Sequence, residues 1–260
     1  MLEKREKQMQ AFARLLDIMD ELREKCPWDK KQTMQTLRPL TIEEIYELTD
    51  AILKNDYNEV KKELGDVLLH IIFYAKIASE SNFFDIEEVI NTICDKLIER
   101  HPHIYGNVSV RDEEEVKYNW EKIKLNTGSK GVLAGVPQSL PSLVKAYRIQ
   151  EKVAGIGFDW KEVRDVRDKI QEEFDELEQE LENNNGLKAE KEMGDVFFSL
   201  INYARFLKIN PDNALSIANE KFINRFSYIE NKAKEMDKTI VELSSDQMNI
   251  LWDEAKKYFP

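Results

Sequence analysis

The string Lys62-Glu63-Leu64-Gly65-Asp66-Val67 returns 129 positions later as Lys191-Glu192-Met193-Gly194-Asp195-Val196. At the same offset, Glu43-Glu44-x-x-Glu47 matches Glu172-Glu173-x-x-Glu176. Further on, Asp95-Lys96-x-Ile98-x-Arg100 parallels Glu220-Lys221-x-Ile223-x-Arg225, and Trp120-Glu121-x-x-Lys124 parallels Trp252-Asp253-x-x-Lys256, at offsets of 125 and 132. A chain whose halves match in register holds two copies of one fold, and the small drift in offset puts the length changes in loops. Breakers gather between the copies, at Gly128, Gly131, Gly135, Pro137 and Pro141. The organisation read from this is an N-terminal domain over residues 1–125, a linker over 126–141 and a C-terminal domain over 142–260.

Each copy reads as helical. Between Ala11 and Lys25, Phe12, Leu15, Leu16, Met19 and Leu22 follow the three-four spacing of an amphipathic helix. Ile86, Val89, Ile90, Ile93 and Leu97 do the same between Asp85 and Arg100, and Pro102 is expected to stop that segment. Thr41, ahead of Glu43-Glu44, is expected to cap a helix N-terminus. With only 9 Gly and 7 Pro in 260 residues and no alternating apolar stretch, the fold class is all-α. The helix from Glu63 to Lys76 carries Leu64, Val67, Leu68, Leu69, Ile71, Ile72, Phe73 and Tyr74, and is expected to be buried on most sides.

Charge and leader signals narrow the function classes. Fifty acidic residues against 38 basic ones give a formal charge of −12, which disfavours nucleic acid as a partner. The start, Met1-Leu2-Glu3-Lys4-Arg5, precedes no apolar run. The most apolar stretch, Val67 to Ala75, is interrupted by His70 and is too short to span a bilayer. Cys26 and Cys94 make no disulfide framework. No membrane association and a cytoplasmic location are expected.

A single Glu-x-x-Asp means little where so many residues are acidic, but the doubled five-carboxylate pattern does not arise from composition alone. Helical spacing of three puts Glu44 with Glu47, Glu63 with Asp66, Glu173 with Glu176 and Glu192 with Asp195 on single faces. In the second copy Glu192, Asp195, Ser199 and Asn202 trace a polar stripe down an apolar helix, whereas the first copy has His70 and Phe73 at the last two positions. Like charges sunk between helices require a cation, and an all-oxygen set suits Mg²⁺, with Mn²⁺ as a substitute. The rival is a solvated Glu-rich face. A di-iron bundle needs Glu-x-x-His, and none of His70, His101 and His103 has a Glu three residues before it. Lys96 with Arg100, and Lys221 with Arg225, share helix faces fit for phosphate, against the rival of a solvated basic helix end. Trp120 and Trp252 suit either base stacking or a core, and Trp28 and Trp160 are expected to pack the entry to the acidic helices. Glu172, beside a ligand but off its face, is a candidate orienter or general base. Phosphate-loop, HExxH and GxSxG motifs are missing.

Together with Cys26-Pro27-Trp28-Asp29, His101-Pro102-His103, Pro141-Ser142-Leu143 and Gly157-Phe158-Asp159-Trp160, these motifs resemble the two-domain MazG nucleoside triphosphate pyrophosphohydrolases over nearly the whole chain. The resemblance implies tandem all-α domains forming four-helix-bundle-type metal sites, a homodimer, and Mg²⁺-dependent hydrolysis of an NTP or dNTP to the monophosphate and pyrophosphate, clearing nucleotide pools. It implies the magnesium ligands Glu173, Glu176, Glu192 and Asp195, and nucleotide contacts at Lys169, Lys188, Lys191, Lys221, Arg225 and Trp252. The first-domain equivalents are Glu44, Glu47, Glu63, Asp66, Lys96, Arg100 and Trp120. Two alternatives stand beside this reading: a non-catalytic nucleotide-sensing or protein-interaction module, and a narrower dUTP or dCTP pyrophosphatase.

Overall fold

The structure is a computed structural model that describes residues 2–112, 115–116, 119–120 and 131–260, and those residues contain helices and no strand. The chain divides into two compact units, Met1–Ser109 and Val110–Pro260. Residues 126–130 of the expected linker, and Glu121 and Lys124 of the repeated tryptophan motif, lie outside the described residues. Among the described residues no helix is long and apolar enough to cross a membrane.

The first unit runs α1 (Leu2–Lys25), a 3₁₀ turn at Asp29–Lys31, α2 (Met34–Leu53), α3 (Tyr57–Ser79), α4 (Ile86–Arg100) and the short α5 (Pro102–Tyr105). Thr33 starts α2: its hydroxyl accepts the Thr36 amide at 3.2 Å, and the Thr36 hydroxyl accepts the Thr33 amide at 2.8 Å. This reciprocal cap satisfies the first-turn amides, so the helix begins well before Thr41. Thr41 is therefore not the N-cap the sequence suggests. It sits inside α2, donates to the Leu37 carbonyl at 3.0 Å, and lies 2.7 Å from both His70 Nδ1 and the Tyr74 hydroxyl on α3. Asp85 caps α4, and Pro102 follows its last residue by two, as the periodicity predicts.

α2 and α3 lie side by side, with α1 against α3. Met19, Leu37, Ile72 and Phe73 form the core between them. Arg23 closes one end of this unit: it donates to both oxygens of Glu80, at 2.8 and 2.6 Å, and to the Gln32 carbonyl at 3.2 Å, with a further bond to the Asp29 carbonyl.

The second unit contains α6 (Ser142–Ala154), α7 (Val163–Glu182), α8 (Gly186–Phe206), α9 (Pro211–Glu235) and α10 (Ser245–Ala255). α7 packs along α8 as α2 packs along α3. The turn between each pair uses an asparagine in the left-handed region, Asn55 at φ 55° and Asn184 at φ 53°. Asn is one of the few non-glycine residues that adopts this conformation readily, and the two sit 129 positions apart like the acidic motifs. Leu177, Ala189 and Val196 fill the α7–α8 seam; Ile229, Ala233, Leu243 and Leu251 join α9 to α10.

The expectation that α3 is buried on most sides needs correction within the single chain. Leu64, Leu68 and Ile71 are exposed, and so are their α8 counterparts Met193, Phe197 and Leu200. Their i, i+4, i+7 spacing puts each trio on one helix face, and among the described residues no helix of its own unit buries that face.

Candidate metal centre and the cavity beside it

Glu173 and Glu176 on α7 and Glu192 on α8 can each place a carboxylate oxygen within 4.8 Å of the others. Glu173 is buried, Glu192 half-buried and Glu176 exposed. In the first unit Glu44 on α2 joins Glu63 and Asp66 on α3 in the same way. Each copy thus assembles three of the four expected carboxylates. The exceptions are Asp195 in the second unit and Glu47 in the first; both are exposed, where water solvates the charge that a crowded acidic seam would penalise.

The electrostatics mark these groups as strained without a counter-ion. Burial, then the charges of Asp66, Glu47 and Glu63, push the Glu44 carboxyl above the ordinary range. Burial and then Glu173 raise Glu176, against the opposing pull of Lys169. Glu63 is buried, with Oε1 2.9 Å from Lys62 Nζ and Oε2 without a hydrogen-bond partner. An orphaned buried carboxylate oxygen beside two further carboxylates fits a hard divalent cation, which takes oxygen ligands. Both acidic groups can therefore hold a metal ion.

The basic residues divide into three places. Lys169 Nζ lies 2.7 Å from Glu172 and 2.9 Å from Glu173, and these two bonds raise its pKa further above that of a free lysine. Lys188 is 3.4 Å from Glu180, and Lys191 is exposed on α8. Arg225 on α9 lies with Trp252 of α10 in a cluster of their own, and Lys221 is half-buried one turn earlier on α9. There Arg225 donates to the Phe259 carbonyl at 2.8 Å and its guanidinium lies 5.6 Å from the Trp252 ring centre, while Phe222 packs against the same ring at 5.1 Å. None of these three lines the cavity beside Glu173. In the first unit Lys96 is exposed and Arg100 half-buried on α4. Trp120 is half-buried and falls in the second unit, beyond Ser109.

That cavity measures about 630 Å³, and Lys169 and Glu173 form part of its wall. Ser199 and Asn202, the lower half of the polar stripe, line it as well, together with Gln150, Phe158, Trp160 and Arg205. Trp160 thus packs beside the acidic helices as expected. Trp28 does not: it is 55% exposed, and the Cys26-Pro27-Trp28-Asp29 segment is anchored through buried Asp29 instead. Two wall residues escape a reading of the sequence. Gln150 interrupts the stripe Leu143, Ala146, Gln150, Val153 on α6, a polar residue at a core position that periodicity exposes. Arg205 carries no such signal, because its partner Asp159 is 46 residues away.

The comparisons agree with this geometry. The MazG nucleotide pyrophosphohydrolase domain matches twice, over residues 32–105 and 162–229, spanning both acidic helix pairs. The chain is 40% identical over 260 residues to a nucleoside triphosphate pyrophosphohydrolase of Escherichia coli, covering 96% of this chain and 98% of that protein. It is 40% identical over 251 residues to the nucleoside triphosphate pyrophosphohydrolase/pyrophosphatase MazG of Thermotoga maritima, covering 94% and 95%. It is also 44% identical over 254 residues to the uncharacterized protein YabN of Bacillus subtilis, covering 95% of this chain and 52% of that one. With the domain present in both units and the Escherichia coli and Thermotoga maritima proteins matched over nearly their whole lengths, the chain belongs to the MazG nucleotide pyrophosphohydrolase family.

Proposed function

We propose that this enzyme hydrolyses nucleoside triphosphates, ribo or deoxy, to the monophosphate and pyrophosphate, using Mg²⁺ with Mn²⁺ as a substitute, and that it serves to clear nucleotide pools. The observation that carries this reading is the junction of the acidic group and the cavity: Glu173 belongs to both, and Lys169 on the cavity wall lies 2.9 Å from it.

Glu173, Glu176 and Glu192 are the residues that would hold the metal, with Asp195 joining them from its exposed position one turn further along α8. A divalent ion there supplies charge neutralisation for the triphosphate and acidifies a water. Lys169 is fully protonated beside Glu172 and Glu173, so it offers a fixed positive charge at the cavity wall for the phosphate chain. Glu172, sharing that lysine but exposed, takes the proton of the attacking water. Lys188, Lys191, Lys221 and Arg225 add positive charge for the outer phosphates, and Trp252 orients Arg225 through their ring contact. In the first copy of the repeat Glu44, Glu63 and Asp66, with Glu47, would hold metal in the same manner, with Lys96, Arg100 and Trp120 at the matching sequence positions.

The uncovered stripes on α3 and α8 support the homodimer in this reading, since apolar faces of this regularity are costly to leave in water. The decisive assay incubates purified protein with Mg²⁺ and each NTP and separates the products. Nucleoside monophosphate with pyrophosphate is the expected result. Nucleoside diphosphate with orthophosphate overturns the bond assignment, and turnover confined to dUTP or dCTP narrows the substrate class.

A further inference from the structure

Arg225 is half-buried on α9, and its partner is a neutral one. Nε donates to the Phe259 carbonyl at 2.8 Å, and among the described residues no carboxylate pairs with the guanidinium. Other half-buried arginines of this acidic chain are matched to carboxylates: Arg23 to Glu80, Arg148 to Glu151 and Arg205 to Asp159. A carbonyl fixes a guanidinium without neutralising it, because the amide dipole carries no net charge. With Nε occupied, the side-on pair of donors is spent, and the Nη1–Nη2 edge remains for a bidentate contact with an oxyanion.

A short strap after α10, residues 256–260, brings that carbonyl into place. The carbonyl of Ala255, a fully buried residue, accepts the amides of both Tyr258 and Phe259 at 3.0 Å, which closes the turn after the helix. Tyr258 stacks on Tyr228 of α9, with ring centres 5.4 Å apart and planes inclined by 26°. Tyr228 lies three residues after Arg225, so the strap grips α9 at two neighbouring points on one face. Trp252 lies 5.6 Å from the guanidinium and packs in turn against Phe222 at 5.1 Å. None of Arg225, Tyr228, Trp252, Tyr258 and Phe259 lines the cavity beside Glu173. Arginine loses much rotamer freedom when it is ordered, and fixing it beforehand removes that cost from the binding step.

We propose that residues 256–260 are a positioning strap for Arg225, in which the Phe259 carbonyl, seated by the Ala255 turn and the Tyr258–Tyr228 stack, sets the guanidinium plane so that its Nη edge meets a substrate phosphate. This role rests on the phosphate contact given to Arg225 above and extends it: Tyr258 and Phe259 act through the arginine and not on the substrate themselves. Charge alone does not reproduce the device, since a lysine has no Nε–H to tie down while a planar fork stays free.

The experiment is a double-mutant cycle on the full chain, read by kcat/KM for NTP with Mg²⁺ and by calorimetric affinity for inorganic tripolyphosphate with Mg²⁺. Phe259→Pro removes one of the two amides that seat the strap on Ala255. It is expected to lower both quantities roughly five- to tenfold, as for one side chain that must be ordered on binding. Tyr258→Ala, at a position 62% exposed, removes the stack and spares the core, and is expected to lower both by roughly threefold. In an Arg225→Ala background neither change is expected to bring a further loss. Wild-type values in both strap variants overturn the strap. The same losses repeated in the Arg225→Ala background also overturn it, because they would act through the fold and not through the guanidinium. If Phe259→Pro fails to fold, Tyr258→Ala decides the cycle alone. If no NTP releases pyrophosphate, the hydrolytic reading fails and the tripolyphosphate arm still decides the strap. Wild type that binds no tripolyphosphate, or Arg225→Ala that binds it as tightly as wild type, overturns the strap, and pyrophosphate release in that case leaves the hydrolytic reading standing.

Discussion

The Lys169 ammonium lies 2.9 Å from the Glu173 carboxylate, and in the first unit Leu40 occupies the matching position, four residues before Glu44. The two acidic groups are thus alike in carboxylates and unlike in their resident cation. Lys169 shares charge with the same residues that would hold metal, so it competes for Glu173 while presenting a charge to substrate. Lys169→Met is expected to leave metal affinity equal or tighter and to lower kcat/KM for NTP by about 1.5–3 kcal/mol, or roughly ten- to hundredfold. Metal titration and initial rates on the same preparation check both signs, and a parallel loss of metal binding would contradict the assignment.

The three-plus-one arrangement of carboxylates predicts unequal consequences. Glu173 is buried between two helices with a fixed orientation, whereas Asp195 faces water and must reorient to join the group. Glu173→Gln is expected to weaken Mg²⁺ binding more than Asp195→Asn does, by about tenfold or more. In the wild type, Mg²⁺ at a hundredfold excess over Kd is expected to add about 2.7 kcal/mol of stability, removed by chelator. Thermal denaturation with and without EDTA reads both effects, and an Asp195→Asn loss as large as that of Glu173→Gln would place all four ligands on an equal footing.

The raised carboxyls give a pH dependence with a definite sign. Glu44 and Glu176 have folded-state pKa values above their unfolded ones, first through burial and then through neighbouring carboxylates. Such a group binds more protons folded than unfolded, so metal-free protein loses stability as pH rises through the raised pKa. Metal binding needs the deprotonated form, so affinity falls as pH drops through the same window. Glu176→Gln is therefore expected to raise the melting temperature of EDTA-treated protein at pH 7.5, to do so less at pH 4, and to weaken metal binding. Melting curves at the two pH values test this, and destabilisation by the variant in EDTA would refute the strain.

The repeat makes most of this architecture legible from the residues alone. Helix pairs and the pairing of Glu44 with Glu63, or Glu173 with Glu192, follow from a pattern written twice, because spacing of three fixes a helix face. What the pattern does not carry is long-range. The Gln150–Phe198 bond joins α6 to α8, and the Arg205–Asp159 pair joins α8 to the segment before α7. Neither has a local signature. Thr41 resembles a cap only until Thr33 and Thr36 are seen to satisfy the first turn of α2 earlier, and the size of Trp28 suggests burial that its loop does not provide.

The uncovered stripes give the final prediction. Leu64, Leu68 and Ile71 on α3 and Met193, Phe197 and Leu200 on α8 sit at identical offsets, on the helices that carry Glu63, Asp66, Glu192 and Asp195. A partner covering these faces would dehydrate the back of each acidic helix and hold its carboxylates in place, coupling assembly to metal affinity. Phe197 is 59% exposed in the single chain, so a charge there spares the core while penalising association. Burying a phenylalanine side chain contributes roughly 1.5–3 kcal/mol, so Phe197→Glu is expected to loosen the dimer by more than about tenfold. Sedimentation velocity across a concentration series follows the mass, and circular dichroism follows the helices, which should persist. A variant that keeps the wild-type mass at every concentration would show that this stripe is not where two chains meet, and Leu68→Glu then tests the matching face of the first unit.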